Sequence, residues 1–109
     1  MEFKWNLDIQ EIIISCDNKT IILKDNGDIV FNSFNVNKII SINDIGGINI
    51  IAPKLLSKGV IGILDKDKKL MKVDELLSIS CAIVKKQEKQ FNQFVSIMKD
   101  NGIDVRVVG

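Results

Sequence analysis

Few side chains in this sequence could do chemistry, and their spacing limits what that chemistry could be. There is no histidine and no tyrosine. The commonest general base and the commonest metal ligand are therefore missing. Cys16 and Cys81 stand far apart, each in an apolar run. Without histidine they form no zinc cluster, and neither has the cationic or helix-N-terminal neighbourhood that generates a thiolate. They read as two small buried hydrophobes with free thiols in a reducing compartment. Ser78 and Ser80 flank Ile79, as polar positions on the outer face of a strand do. Asp74 and Glu75 are adjacent, so their carboxylates point apart on a helix or a strand. Asp25, Asn26 and Asp28 begin like a calcium loop, but the later carboxylates and the closing Glu are absent. Gly46-Gly47 and Gly59 are not followed by the Gly-Lys-Ser/Thr of a phosphate loop. The expectation is a non-enzyme with no catalytic residue, no metal, no cofactor and no small-molecule substrate.

Binding is the remaining class. The net charge of +1 supplies no global field to steer the chain onto a polyanion. Lys66, Lys68, Lys69 and Lys72 cluster, but Asp65, Asp67 and Asp74 interrupt them. Lys85, Lys86 and Lys89 open a helical segment, where the helix dipole disfavours cations. Aromatic residues make up only 6% of the chain, too few for a base-stacking surface, which argues against nucleic acid. One stretch stands out. Pro53-Lys54-Leu55-Leu56-Ser57-Lys58-Gly59 places an apolar pair between two lysines in a turn. Leu55 and Leu56 could fold back as a lid on the core. They could face a partner protein or a second copy of the chain. They could also touch a membrane surface, with Lys54 and Lys58 toward the head groups. Lys54, Leu55, Leu56 and Lys58 are thus the candidate binding residues.

The elements that must position this loop follow from periodicity. The chain has 109 residues, 46% of them hydrophobic and 27% charged, which suits one globular domain. A domain of this size buries roughly 65% of its unfolded surface, so one core suffices without staples. Val and Ile dominate, favouring strands. Ile12–Cys16, Thr20–Lys24, Ile29–Phe31, Asn35–Ile42, Gly47–Ile51, Val60–Leu64 and Ser78–Val84 read as strands. Asn26-Gly27 is the strongest hairpin dipeptide, calling for positive φ. Asp65–Lys69 is a charged turn, and Val73–Leu77 is ambiguous between helix and strand. From Lys86 the period changes: Phe91, Phe94, Val95 and Met98 fall on one helical face. Asn101-Gly102 stops that helix, and Ile103–Val107 alternates as a strand-like tail. The N-terminus carries acids and lacks the apolar segment of a signal peptide, so the expected location is cytoplasmic.

Three stretches carry a family likeness. Ile42-Asn43-Asp44-Ile45-Gly46-Gly47-Ile48 is similar to an element with two isoleucines around polar residues before a strand. Ala52-Pro53-Lys54-Leu55-Leu56-Ser57-Lys58-Gly59-Val60-Ile61 is similar to a proline-containing loop ending in glycine and a strand. Ala82-Ile83-Val84-Lys85-Lys86-Gln87-Glu88-Lys89-Gln90-Phe91 is similar to a last strand running through lysines into a helix with a core phenylalanine. In these the chain resembles the bacterial pleckstrin-homology-like domains often associated with SHOCT-type modules. It departs from them in having Val60, Ile61 and Ile63 where an aromatic is frequent, an insertion at 66–77, and its own tail after Gly102. The resemblance implies an α+β fold: an antiparallel pleckstrin-homology-like β-roll or barrel of about seven strands capped by one C-terminal amphipathic helix. Residues 1–109 form one domain, with the core over about 12–101 and the tail over 103–108. The function expected is a protein-interaction module, binding a foreign protein or self-associating into a homo-oligomer, for instance by strand addition at an open edge. The alternatives are a phospholipid or anion binder using the loop lysines, with peripheral membrane contact, and a small inhibitor protein from a mobile element acting by steric blockade.

Overall fold

The computed structural model describes residues 2–16, 19–33, 36–71 and 80–108. The strands are β1 (Glu11–Cys16), β2 (Lys19–Lys24), β3 (Asp28–Ser33), β4 (Val36–Ser41), β5 (Gly47–Ile51), β6 (Gly59–Leu64), β7 (Ser80–Ile83) and β8 (Val105–Val107), and the helix is α1 (Glu88–Asp100). Short 3-10 turns, Ile42–Asp44 and Lys85–Gln87, lead into β5 and α1. They form two four-stranded sheets, ordered β1-β2-β3-β4 and β7-β6-β5-β8. The architecture is α+β, as the periodicities predict.

The first sheet is an antiparallel meander whose apolar runs fix its register. Ile12, Leu23, Ile29 and Ile40 align across the four strands, and Ile14, Ile21 and Phe31 form a second inner row. All seven are buried. The β2–β3 connection uses positive φ at Gly27 alone. Gly27 N–H donates to Lys24 O at 3.0 Å, and Asn26 Oδ1 accepts the Asp28 N–H at 3.0 Å. This is a three-residue loop with glycine in the left-handed position, not a two-residue primed turn.

The second sheet faces the same core through Ile48, Ile50, Ile61, Ile63 and Ile83. The helix closes that core. Phe91, Phe94, Ile97 and Met98 are buried, and Val95 packs partly against them; Ile97 joins the face expected from the helical spacing. The helix ends in a Schellman motif. Ile103 N–H donates to Met98 O and Gly102 N–H to Lys99 O, both at 3.0 Å, with Gly102 at φ 76°.

Three expectations change. The fourth strand runs as expected over Val36–Ser41 but stops before Ile42: Ser41 Oγ accepts the Asn43 N–H at 3.2 Å, and this cap turns Ile42–Asp44 into a 3-10 segment. The tail becomes an eighth strand, and it pairs with β5 in parallel, Ile48 opposite Val105 and Ile50 opposite Val107. The all-antiparallel expectation fails there, because α1 is the crossover that lets a parallel strand return. Among the described residues no ladder joins the two sheets, so the hydrogen bonding gives two packed sheets and no closed barrel. Val73–Leu77, the onset of β7 at Ser78, Lys72, Asp74 and Glu75 lie outside the described residues, as do the side chains of Cys16, Ser80 and Cys81. Among the described residues no helix is long and apolar enough to cross a membrane.

Candidate functional site

The loop between β5 and β6 carries the four candidate residues, and its neck is tightly built. Pro53 is buried. A side chain on Gly59 would come within 2.5 Å of both Ile51 O and Pro53 N, so only glycine lets the two arms approach this closely. Beyond the neck, Lys54 N–H donates to Ser57 O at 2.8 Å and closes the turn. The leucines sit at its tip. Leu55 is 85% exposed and Leu56 97%. The lid alternative is therefore not what the fold adopts: the packed neck holds the tip away from the core. Lys54 and Lys58 are exposed beside the leucines. With Val84 and Lys85 these residues line a shallow cleft of about 200 Å³. Lys85 is paired with Glu88 at 2.5 Å, which offsets its charge at the start of the helix.

Because both leucines are already in water, removing them leaves the core intact. Leu55→Ser/Leu56→Ser is expected to unfold within about 0.5 kcal/mol of the parent, as surface substitutions do. Chemical denaturation of both proteins side by side checks this.

Of the lysine cluster, Lys68 is tied into the fold. Asp65 Oδ1 accepts the N–H groups of Asp67 and Lys69 at 2.9 and 3.1 Å, and Lys68 takes φ 64°. That turn aims the Lys68 ammonium at Gly46 O and at Asp104 Oδ2. Arg106 reaches the same carboxylate oxygen at 3.2 Å. Gly46 is necessary here, since a Cβ would lie 1.9 Å from Asp65 O. A cleft of about 500 Å³ opens beside this turn, with Lys66 and Lys68 on one wall and Asn101 and Asp104 on another. Lys68 is paired with Asp104 there, and Lys66 lies exposed on the cleft wall.

No family model matches the chain, and no characterised protein matches its sequence. The site must therefore be read from its own chemistry.

Asp104 gives that chemistry one titration. The hydrogen bond from Lys68, then that from Arg106, hold its carboxyl below the ordinary value of 3.8. The folded chain thus favours the ionised form. The contribution is complete above the unfolded value and is lost as pH falls through the lower, folded one. Carbon-13 titration of Asp104 is expected to show a midpoint below 3.8, and Lys68→Met is expected to raise it. An unchanged midpoint in Lys68→Met would show that the pair is not formed.

The sequence reading missed two amide clamps. Gln87 Oε1 accepts the Ser15 N–H at 2.8 Å, and its Nε2 donates to Ser15 O at 2.6 Å. The side chain so completes the β1 edge as a neighbouring strand would. Asn101 does the same for the N-terminal segment: Oδ1 accepts Lys4 N–H at 2.7 Å, and Nδ2 donates to Lys4 O at 2.9 Å and to Ile97 O at 2.8 Å. Phe3, Trp5 and Leu7 of this segment alternate along the chain and pack, partly buried, against the core.

Proposed function

We propose that this chain is a non-enzymatic protein-interaction module of pleckstrin-homology-like type that presents the Leu55–Leu56 tip to a partner protein. The observation that carries the reading is two adjacent leucines, almost wholly exposed, on a turn whose neck is fixed by Pro53 and Gly59. A leucine left in water forgoes about 1.5–3 kcal/mol of burial. A preformed turn can recover that on binding with little loss of conformational entropy. Lys54 and Lys58 supply a polar, cationic rim around the apolar centre, the arrangement of a small protein interface. The pleckstrin-homology-like assignment draws support from the order of elements: a four-stranded meander, three further antiparallel strands and a closing C-terminal helix. The parallel β8 is an addition to that order.

A photo-crosslinking residue at position 56, compared in cells with the same residue at the exposed Asn92 on α1, tests the reading. Position 56 is expected to give discrete protein adducts that Asn92 does not, and Leu55→Ser is expected to diminish them. Identical patterns at the two positions would overturn it. So would sedimentation of the protein with phosphatidylserine vesicles that is lost in Leu55→Ser/Leu56→Ser, because the tip would then be a membrane contact.

A further inference from the structure

Each strand of the first sheet contains an uninterrupted apolar pair or triplet: Ile12-Ile13-Ile14, Ile21-Ile22-Leu23, Ile29-Val30-Phe31 and Ile39-Ile40. Successive residues of a strand point to opposite faces. One residue of each run must therefore point away from the core. The register aligns these outward residues into a single row: Ile13 opposite Ile22, Ile22 opposite Val30, and Val30 opposite Ile39. The row crosses all four strands. Its ends are the most open, with Ile39 69% and Ile13 45% exposed, and Ile22 and Val30 are half-buried.

Two polar rows flank it. On one side lie Ser15, Thr20, Asn32 and Asn37, all uncharged. On the other lie Glu11 opposite Lys24, and Asp28 opposite Ser41, with Lys24 and Asp28 at the two ends of the β2–β3 loop. The outer face is thus a charged row, an apolar row and a neutral polar row, in that order along the strands.

We propose that this face is a homodimer interface, in which two copies pack their first sheets face to face about a twofold axis parallel to the strands between β2 and β3. That axis reverses the strand order and keeps every row on its own kind. Ile13 of one copy meets Ile39 of the other, and Ile22 meets Val30. In the charged row, Lys24 of one copy meets Asp28 of the other, twice by symmetry. In the neutral row, Ser15 meets Asn37 and Thr20 meets Asn32, pairs able to hydrogen-bond. The alternative in-plane axis, along the rows, would set the charged row on the neutral one and forgo the pairing. The strand-parallel axis also gives the aligned sheet packing common in sandwiches. A four-stranded face buries a total area near the lower limit for specific interfaces, about 1,000 Å², so the dimer is weak, dissociating in the micromolar range. The inference does not rest on the leucine tip.

Sedimentation velocity from 10 μM to 1 mM on the full chain tests it, over the concentrations at which such small interfaces assemble. The parent is expected to shift from monomer to dimer across that range. Ile39→Asp is expected to weaken association by roughly tenfold or more, since it buries an unpaired charge, while its thermal unfolding at low concentration stays that of the parent. Lys24→Glu and Asp28→Lys are each expected to be monomeric alone. Mixed together they are expected to associate again. The carboxylate introduced at position 24 of one copy then meets the ammonium introduced at position 28 of the other, and the remaining native Asp28 and Lys24 still meet. This rescue depends on neither variant's own stability. A parent monomeric at 1 mM, an Ile39→Asp protein that associates like the parent, or a mixture that stays monomeric would each overturn the proposal. Leu55→Ser/Leu56→Ser is expected to sediment like the parent, so failure of the tip reading and failure of the dimer are separate results.

Discussion

Phe94→Ala is expected to destabilise the chain by about 3–5 kcal/mol, the range for truncating a large buried aromatic. Phe94 is fully buried on α1 and belongs to the single core cluster shared with Phe31, Ile61 and Ile83. Helix α1 packs on β1 of the first sheet and on β8 of the second. Domains of this size have about 5–15 kcal/mol in total, and the loss is therefore a large share. The corresponding fall in melting temperature is roughly 10–30 °C. Differential scanning calorimetry of Phe94→Ala against the parent measures it directly. A midpoint within about 2–3 °C of the parent, less than a 1 kcal/mol change produces, would mean that the helix does not close the core. Phe94→Leu, which keeps much of the volume, is expected to lose far less.

The helix was legible because its signal is long and of one kind. Phe91, Phe94 and Met98 recur at helical spacing over a segment with no competing strand pattern, and Asn101-Gly102 ends it with residues suited to a left-handed cap. The strands were legible as elements for a different reason: short β-branched runs between turn residues. Their runs also concealed something. In Ile12-Ile13-Ile14 the alternation of period two is absent, so sequence alone cannot say which residue faces the core. Only the register, set by three hairpins at once, separates Ile12 and Ile14 from Ile13. The outward apolar row was thus present in the composition and invisible in the pattern.

Long-range polar contacts were illegible for a plainer reason. Gln87 and Ser15 are 72 positions apart, and Lys4 and Asn101 are 97 apart. A surface glutamine and a helix-stopping asparagine look the same whether or not a distant backbone lies beside them. The parallel pairing of β8 was hidden likewise, because alternation in Ile103–Val107 marks a strand without naming its neighbour or its direction. The candidate loop was read correctly as a turn bearing two leucines. Its exposure depended on the close approach at Gly59, which is a property of the packed neck and not of the leucines.

Asn101 is where one of these unseen contacts has its largest consequence. The residue is only 4% exposed, and its side chain satisfies three backbone groups, two on Lys4 and one on Ile97. Replacing it with Ala removes all three bonds: the part-buried Lys4 N–H and O lose this partner, while Ile97 O keeps the backbone N–H of residue 101. With each worth roughly 1 kcal/mol and the desolvation of the orphaned groups added, the expected loss is about 2–4 kcal/mol. The loss falls first on the N-terminal segment, whose other anchors are Phe3, Trp5 and Leu7 against the core. Phe3 rests over Gly27, where a Cβ would come within 3.2 Å of its ring, and Trp5 Nε1 donates to Ile9 O at 2.8 Å. Trp5 is the only tryptophan in the chain, so its fluorescence reports this segment alone. In Asn101→Ala the emission is expected to shift to longer wavelength at temperatures where the far-ultraviolet circular dichroism of the sheets and helix is still native. In the parent the two transitions are expected to coincide. Asn101→Asp separates the causes. Its carboxylate can still accept the Lys4 N–H, but it cannot donate to Lys4 O or Ile97 O, and it adds negative charge at the helix C-terminus. It is therefore expected to release Trp5 as well. If Asn101→Ala and Asn101→Asp both keep coincident transitions and the parent's midpoint, the clamp contributes nothing and the segment is held by its aromatic side chains alone.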